Sequence, residues 1–556
     1  MTDDNEQENL PKPPPLPGQI YIRPGIDDRP DLDKALTPED KSAIARLAVH
    51  IEREQPSDSA ERAETQAVRM SDAGSPAVAT AVPPTPIADA SSAFLDMRDP
   101  MVAADGTKPD KAQIKRLNAG FTLAAVLRTL PWAMLNMVAL PAIIDRLFGN
   151  PLHAGHVTQM SVEAARVAGA APAPWLALVV IVGAIVGLVA NVVVGVMSDH
   201  TRTPHGRRTP WIIAGGLLSA LFTLPLGALG NVGAILFFWI LLQITYAMLA
   251  APLAAAFGER YPDKFREHAM RWRGIGLMLG QLLGVALGAG GLVLGGELPF
   301  AATAVVFVLA AVVPVLVWPK EPSSEWIANV KYSTEPAFAQ MKLPSGDDNA
   351  SFRRAYVARI FMMAGVGVMT VFQWLIVRHY VLAEWYLDAR SAAQSSPQIW
   401  ATCIAMLMIA VGAAVGAACA AGCAGRFGEW CEVKNVPSRV VVIAACVVYA
   451  AAIVLPVALA LFLSTPVIDA GLFVYGIVSG FAFGLYDVFN QDVVAATIPD
   501  PRDNARYLNA FNVASVIGTV VAGCLGVVAV LSLGYIALLV AAIVVVLVGA
   551  ALTPKD

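Results

Sequence analysis

The sequence predicts an all-α membrane protein with twelve transmembrane helices in two six-helix halves, preceded by a disordered N-terminal tail. Three observations carry this reading. Hydrophobic residues make up 56% of the 556 positions and charged residues only 15%, too few charges to cover a soluble domain of this length. From residue 118 onward the apolar residues gather into about twelve runs, each near the roughly 20 residues that one helical crossing of a bilayer requires. Lys and Arg residues in the links between runs favour alternate links, as one-sided retention of positive charge demands.

The tail comes first. Residues 1–100 hold 19 Asp and Glu against 10 Lys and Arg, together with Pro-rich pieces such as LPKPPPLPG and AVPPTPIADASS. A segment so polar and poor in aromatics buries too little surface to offset the entropy of ordering, so residues 1–115 are expected to form a disordered, acidic cytoplasmic tail. One piece, Thr37 to Glu54, has an N-cap Thr37 and apolar residues at helical spacing, which fits a short helix or no more than a solvated turn. No basic leader with an early apolar core opens the chain, so a cleaved signal peptide is not expected.

The runs are 118–145, 174–197, 210–229, 232–257, 274–293 and 299–318, then 355–377, 399–424, 440–463, 467–497, 507–530 and 532–552. With the tail in the cytoplasm, the links after runs 2, 4, 6, 8 and 10 face the same side. They carry 18 Lys and Arg, whereas the opposite links carry four: Arg146, Arg166, Arg378 and Arg390. A missed run would scramble this order. Both termini are therefore expected in the cytoplasm and the protein in the plasma membrane. The long link 319–354 is read as a cytoplasmic central loop dividing an N-terminal half, 116–318, from a C-terminal half, 355–556. Two such halves around a midplane cavity are common among secondary transporters.

The six cysteines, Cys403, Cys419, Cys423, Cys431, Cys446 and Cys524, have no spacing that suits zinc or a disulfide framework. No metal motif, nucleotide-binding glycine loop or nucleophile–base set is present. Neither enzymatic activity, nor a cofactor or metal, nor nucleic-acid binding is expected.

The link between runs 2 and 3 reads GVMSDHTRTPHGRRTP, from Gly195 to Pro210. It concentrates Asp199, Arg202, Arg207 and Arg208 in a short connection. Gly195 lets the end of run 2 approach a neighbour, and Gly206 permits a tight turn before the arginine pair. Such a set can merely orient the chain, or it can latch two helices together in one conformation and release them in another.

This pattern, continued through Trp211, resembles the loop 2–3 signature of the major facilitator superfamily in the extended form found in proton-coupled sugar symporters. These are the sucrose-transporter-like and glycoside–pentoside–hexuronide-like groups. The resemblance implies the major facilitator fold and a conformational latch formed by Asp199, Arg202, Arg207 and Arg208, with His200 where an Arg is usual. A second segment, Gly480 to Gly518, resembles the bacterial sugar-symporter relatives at Tyr486, Gln491, Pro499, Asp500 and Asn512, with Asn490 in place of the usual Asp. The second-half counterpart of the latch, GCAGRFGEW, keeps Gly422, Arg426 and Gly428 but lacks the acid.

Ionisable residues inside membrane helices are costly and mark function by default. Arg128 lies about ten residues into run 1, Asp487 and Asp492 lie in run 10, and Arg359 is near the start of run 7. The resemblance implies that helices 1, 4, 7 and 10 line the cavity. On that basis Asp487 is expected to take up and release the coupled proton, with Arg128 as counter-ion in one conformation and Asp492 as the substitute acid. A static, helix-fixing ion pair is the alternative. The glycoside–pentoside–hexuronide carriers that use sodium have cation-binding acids in their first helices, whereas run 1 offers no acid before Asp145 and run 2 none before Asp199, so the resemblance implies protons rather than sodium.

Sugars are held by flat aromatic faces and hydrogen-bonding groups. The candidates on the four cavity helices are Trp132, Asn136, Gln243, Tyr246, Gln373, Trp374, Tyr486, Asn490 and Gln491. Trp132 with Asn136, and Tyr486 with Asn490, stand four residues apart and share a helix face. The expected function is proton-coupled import of a sugar or glycoside, such as a disaccharide, by a monomer in the lipid bilayer. An exporter of drugs or metabolites and a signalling protein with the tail as output are the alternatives.

Overall fold

A computed structural model of the chain describes residues 107–148, 169–325, 349–383, 396–462, 465–498 and 504–554, with residues 103, 338, 341–344 and 346. The Thr37–Glu54 segment, and with it nearly all of the tail, lies outside these residues. The described residues are helical or in links, with no strand among them.

The first half comprises α1 (Lys111–Phe148), α2 (Ala173–Asp199), α3 (Thr209–Ala228), α4 (Val232–Arg260), α5 (Asp263–Leu294) and α6 (Leu298–Val317). The second comprises α7 (Ala350–Val371, continued to Val381), α8 (Ser396–Val433), α9 (Ser438–Phe462) and α10 (Thr465–Thr497). A 49-residue helical segment, Asn504–Leu552, follows. At about 1.5 Å per residue it is far too long for one crossing.

Gly534 resolves the excess. Its backbone is at φ 77°, ψ −167°, a conformation open to glycine and strained for residues with a Cβ. The arms on either side, α11 (504–533) and α12 (535–552), pack on the same helix in opposite directions. Gly518 faces Ile360 and Met363, and Gly367 faces Ala522, as α11 rises along α7; Gly549 then returns against Ala358 and Met362. Among the described residues, eleven continuous apolar segments thus make twelve crossings, as the sequence predicts.

Local chemistry explains the helix ends and bends. Asp110 opens α1 with a reciprocal cap: its Oδ1 accepts from Gln113 N at 2.7 Å, and Gln113 Oε1 accepts from Asp110 N at 3.0 Å. Pro131 lacks the amide that would continue the α-helical ladder, and the next residues, Met134–Ala139, widen into a π-helix. At a similar depth of the second half, α7 breaks at Phe372 and ends in the π-turn Val377–Val381. The first helix of each half is therefore irregular in the same portion. Along α5, glycines every four residues let α1 approach closely: a Cβ on Gly276 or Gly280 would stand 2.6 Å from the carbonyl of Thr122 or Val126.

Helix α5 begins at Asp263, some ten residues before run 5, because the segment 263–273 is charged and helical without being apolar.

Candidate functional site

Four groups of polar side chains stand out. The first is at the end of the molecule that bears the α2–α3 link, hereafter the latch end. Arg208, only 2% exposed, donates to both Glu259 oxygens, through Nε to Oε2 at 3.2 Å, and also to Ser198 Oγ; it pairs with Asp199 as well. Arg207 adds an ion pair to Glu259 at 3.0 Å. Burial alone would lower the Arg208 pKa; the Asp199 and Glu259 carboxylates outweigh it and hold the guanidinium charged well above its ordinary range. Arg202 instead donates to the backbone carbonyls of Asp199 and Thr201. Gly195 is buried on α2.

Two residues beyond the sequence candidates complete this cluster. Glu259 ends α4, and Glu321 follows α6. The Glu321 carboxylate accepts from the amides of Arg207, Arg208 and Thr209 at 2.9–3.0 Å, capping the start of α3 and meeting its helix dipole. Gly206 makes this possible: it sits at φ +87°, and a Cβ there would overlap the Glu321 side chain. Ser324 joins Thr203 through bonds in both directions. The link is thus tied to α4 and to the segment after α6.

The second group lines a narrow cleft near the middle of the helices. Trp132, Asn136, Gln243 and Tyr246, four of the nine substrate candidates, line it. So do Asn191, Trp239, Gly183 and Gly187, and from the second half Val516 and Thr519 of α11. The Trp132 ring stacks on Tyr246 with centroids 4.3 Å apart and planes at 14°, and on Trp239 at 5.8 Å and 20°. Asn136 Nδ2 donates to Trp132 O at 2.9 Å. Trp239 was legible in the sequence: it precedes Gln243 by four residues and shares its helix face.

The third group is the buried pair of the second half. In this conformation Asp487 takes Arg359 of α7 as its ion-pair partner at 3.1 Å; Arg128 is the counter-ion expected in one conformation of the cycle. Arg359 also donates to Ser515 Oγ at 3.2 Å and lies 5.6 and 5.3 Å from the Tyr486 and Phe511 ring centroids. The reason is register: α7 and α10 belong to one half, and about two and a half turns of α7 bring Arg359 to the depth of Asp487. Arg128 is buried on α1. Asp492 is exposed near the latch end of α10. Tyr486 packs beside Arg359 and Asn490 is buried with its Nδ2 unpartnered. Gln491 is half-buried and Gln373 buried; none of these four is among the residues lining the cleft.

The fourth group joins the halves at the far end. Asp145 of α1 accepts from three side chains that follow the break in α7: Arg378 Nε at 2.9 Å, His379 Nε2 at 2.7 Å and Trp374 Nε1 at 3.4 Å. Trp374, expected in the cavity, serves here instead. Close by, Gly169 lies against His379, and its carbonyl accepts from Tyr535 at 2.7 Å. Gly523 of α11 also abuts Ile181 of α2. The halves are clasped at this end.

Two six-helix halves, a midplane cleft between them and a clasp at one end define a membrane transporter. Residues 121–522 match the Major Facilitator Superfamily, and the chain belongs to that family. The fold resembles that of the nucleoside transporter NupG (TM-score 0.54, 13% identity, covering 79% of this chain and 100% of that one). It also resembles a bacterial homolog of the human lysosomal transporter Spinster, inward-facing and unoccupied (TM-score 0.51, 15% identity, 80% and 97%). Among curated proteins no sequence matches the chain.

Proposed function

We propose that the protein is a proton-coupled importer of a neutral sugar or glycoside in the plasma membrane, with the latch end and both termini in the cytoplasm. The midplane cleft carries this reading. Its twelve lining residues offer aromatic faces, amides and two hydroxyls and no formal charge, which suits a neutral polyhydroxyl ligand.

Coupling is assigned to Asp487. Its side chain is 8% exposed and pairs with Arg359 at 3.1 Å, and an ionisable residue deep in a membrane helix marks function by default. The latch residues Asp199, Arg207 and Arg208, with Arg202, Gly195 and Gly206 shaping their link, hold the first half rigid as the halves rock. The Spinster homolog and NupG share the fold at 15% and 13% identity, and the choice of ligand rests on the cleft.

The test is external pH recorded from de-energised cells expressing the full chain while glycosides are added in turn. Alkalinisation with one of them, lost in Asp487→Asn while sugar counterflow persists, is the expected result. Unchanged accumulation in Asp487→Asn removes the coupling assignment, and silence across the panel removes the import reading.

A further inference from the structure

We propose that the far-end clasp holds a proton-binding site separate from Asp487, the Nδ1 of His379, and that filling it closes this end of the transporter.

The clasp leaves one place for a proton. Asp145 of α1 uses both carboxylate oxygens across the boundary between halves. Its Oδ1 accepts from His379 Nε2 at 2.7 Å, and its Oδ2 from Arg378 Nε at 2.9 Å and Trp374 Nε1 at 3.4 Å. A carboxylate that accepts from three donors is the ionised form. Facing it, Nε2 carries the proton of the neutral imidazole and leaves Nδ1 with a lone pair. Nδ1 lies against Gly169, where a Cβ would stand 2.7 Å from it, and the Gly169 carbonyl already accepts from the Tyr535 hydroxyl. Among the described residues no side chain donates to Nδ1. The His379 side chain is 10% exposed, so a proton reaches it from solvent.

The surroundings fix the sign. The charges at the ring are Asp145 and Arg378; Arg146 turns away and donates to Gly227 O at 3.2 Å. The helices packed on the π-turn bring no further charge, since α8 has none from Ser396 to Gly425 and α9 none from Val440 to Phe462. Tyr535 of α12 beside Asp145, Cys403 of α8 beside Arg378, and Tyr380 are the other titratable side chains near the clasp. His379 and Arg378 approach different oxygens of one carboxylate, so each is attracted to it over a shorter distance than the two cations repel each other. A proton on His379 turns a neutral donor to Asp145 into a charged one and tightens the clasp. Opening parts the α1 acid from the α7 histidine, and the proton is then held less firmly. By linkage, the state that binds the proton better gains as pH falls. In the orientation proposed above the far end faces outside, so the external acid that drives a proton symporter also closes its outer gate.

The experiment follows maleimide labelling of Ala383→Cys, four residues beyond His379 and 5% exposed, in purified full-length protein without its native cysteines, in lipid nanodiscs. Rates are compared at about pH 5.5 and about pH 7.5, on either side of the usual histidine range. His379→Gln keeps an N–H donor toward Asp145 but takes up no proton, and dividing by its rate at each pH removes the titration of the thiol. The parent-to-variant ratio should be about five- to tenfold lower at the acid pH. Asp145→Asn, which keeps the histidine and removes its carboxylate, should flatten this dependence. The set is repeated with Asp487→Asn throughout, so that titration of that acid drops out. A ratio that changes by less than about twofold, or in the opposite direction, overturns the proposal. So does a dependence that survives in Asp145→Asn or vanishes with Asp487→Asn. No sugar enters the measurement, so its failure and the failure of the glycoside reading are told apart.

Discussion

Replacing Asp145 by asparagine should release the far-end clasp. One carboxylate, 5% exposed on its side chain, accepts from Arg378, His379 and Trp374 across the boundary between halves. Asn keeps one acceptor oxygen, turns the other into a donor and removes the charge. The loss includes at least one hydrogen bond to a charged partner, worth about 1.5–3 kcal/mol in proteins. The Arg378 side chain is 20% exposed, so solvent screening places the effect toward the lower part of that range. Since about 1.4 kcal/mol is tenfold in an equilibrium constant, opening at the far end should rise about tenfold or somewhat more. The assay is the rate at which a membrane-impermeant maleimide reaches Ala383→Cys, a position 5% exposed in this conformation, in a background without the native cysteines. Exchange of the two charges, Asp145→Arg with Arg378→Asp, should bring the rate back toward that of the parent. A labelling rate within about twofold of the parent in Asp145→Asn, or a charge exchange that restores nothing, refutes the reasoning.

Other substitutions test the remaining groups. Arg208→Met leaves Asp199 and Glu259 without their shared cation and should cost about 3–5 kcal/mol, the usual penalty for breaking a buried pair, read as a lower thermal midpoint in detergent. Gly206→Ala puts a Cβ at φ +87° and against Glu321; the αL penalty of about 1–2 kcal/mol adds to the loss of the α3 cap, so it should destabilise more than Glu321→Gln. Arg359→Met removes the counter-charge of Asp487 and should abolish accumulation while leaving counterflow measurable in proteoliposomes. Ser515→Ala deletes the hydroxyl that accepts from Arg359; it should leave ligand affinity within about twofold yet shift the pH dependence of uptake, and an unshifted profile would dismiss Ser515 as a link.

The helices were legible because an apolar run of about 20 residues has few alternatives to crossing a bilayer. What escaped the sequence were the interruptions and the long-range partners. Trp374 was placed in the cavity because the resemblance puts helix 7 there; following the break at Phe372, its indole donates to Asp145. Asp199 and Arg208 were visible together in one link, yet Glu259 and Glu321 stand 51 and 113 residues from Arg208. Each ends or follows a helix, where a lone acid reads as solvated. Trp132 and Asn136, four residues apart, and Gln243 and Tyr246, three apart, were singled out as aromatics and amides on presumed cavity helices, and all four line one cleft. Asp487 was found by depth alone, and depth does not choose between Arg128 and Arg359 as partner.

The two halves are built alike but tied differently, and the difference bears on coupling. In the first half the α2–α3 link is held by Arg208, Glu259 and Glu321. In the second, α8 continues through Arg426 to Val433, and Gly422, Gly425 and Gly428 have nothing within 4 Å of where a Cβ would stand. The first half supplies ten of the twelve residues lining the cleft; α11 supplies the other two, Val516 and Thr519. Ser515, next to Val516, accepts from Arg359, which pairs with Asp487, and Thr519 Oγ1 donates to the Ser515 carbonyl at 3.2 Å. A ligand seated on the rigid half therefore touches the other half through the helix whose hydroxyl holds the Asp487 counter-ion. On the proposed reading, a shift of α11 as the halves close changes what Arg359 can reach.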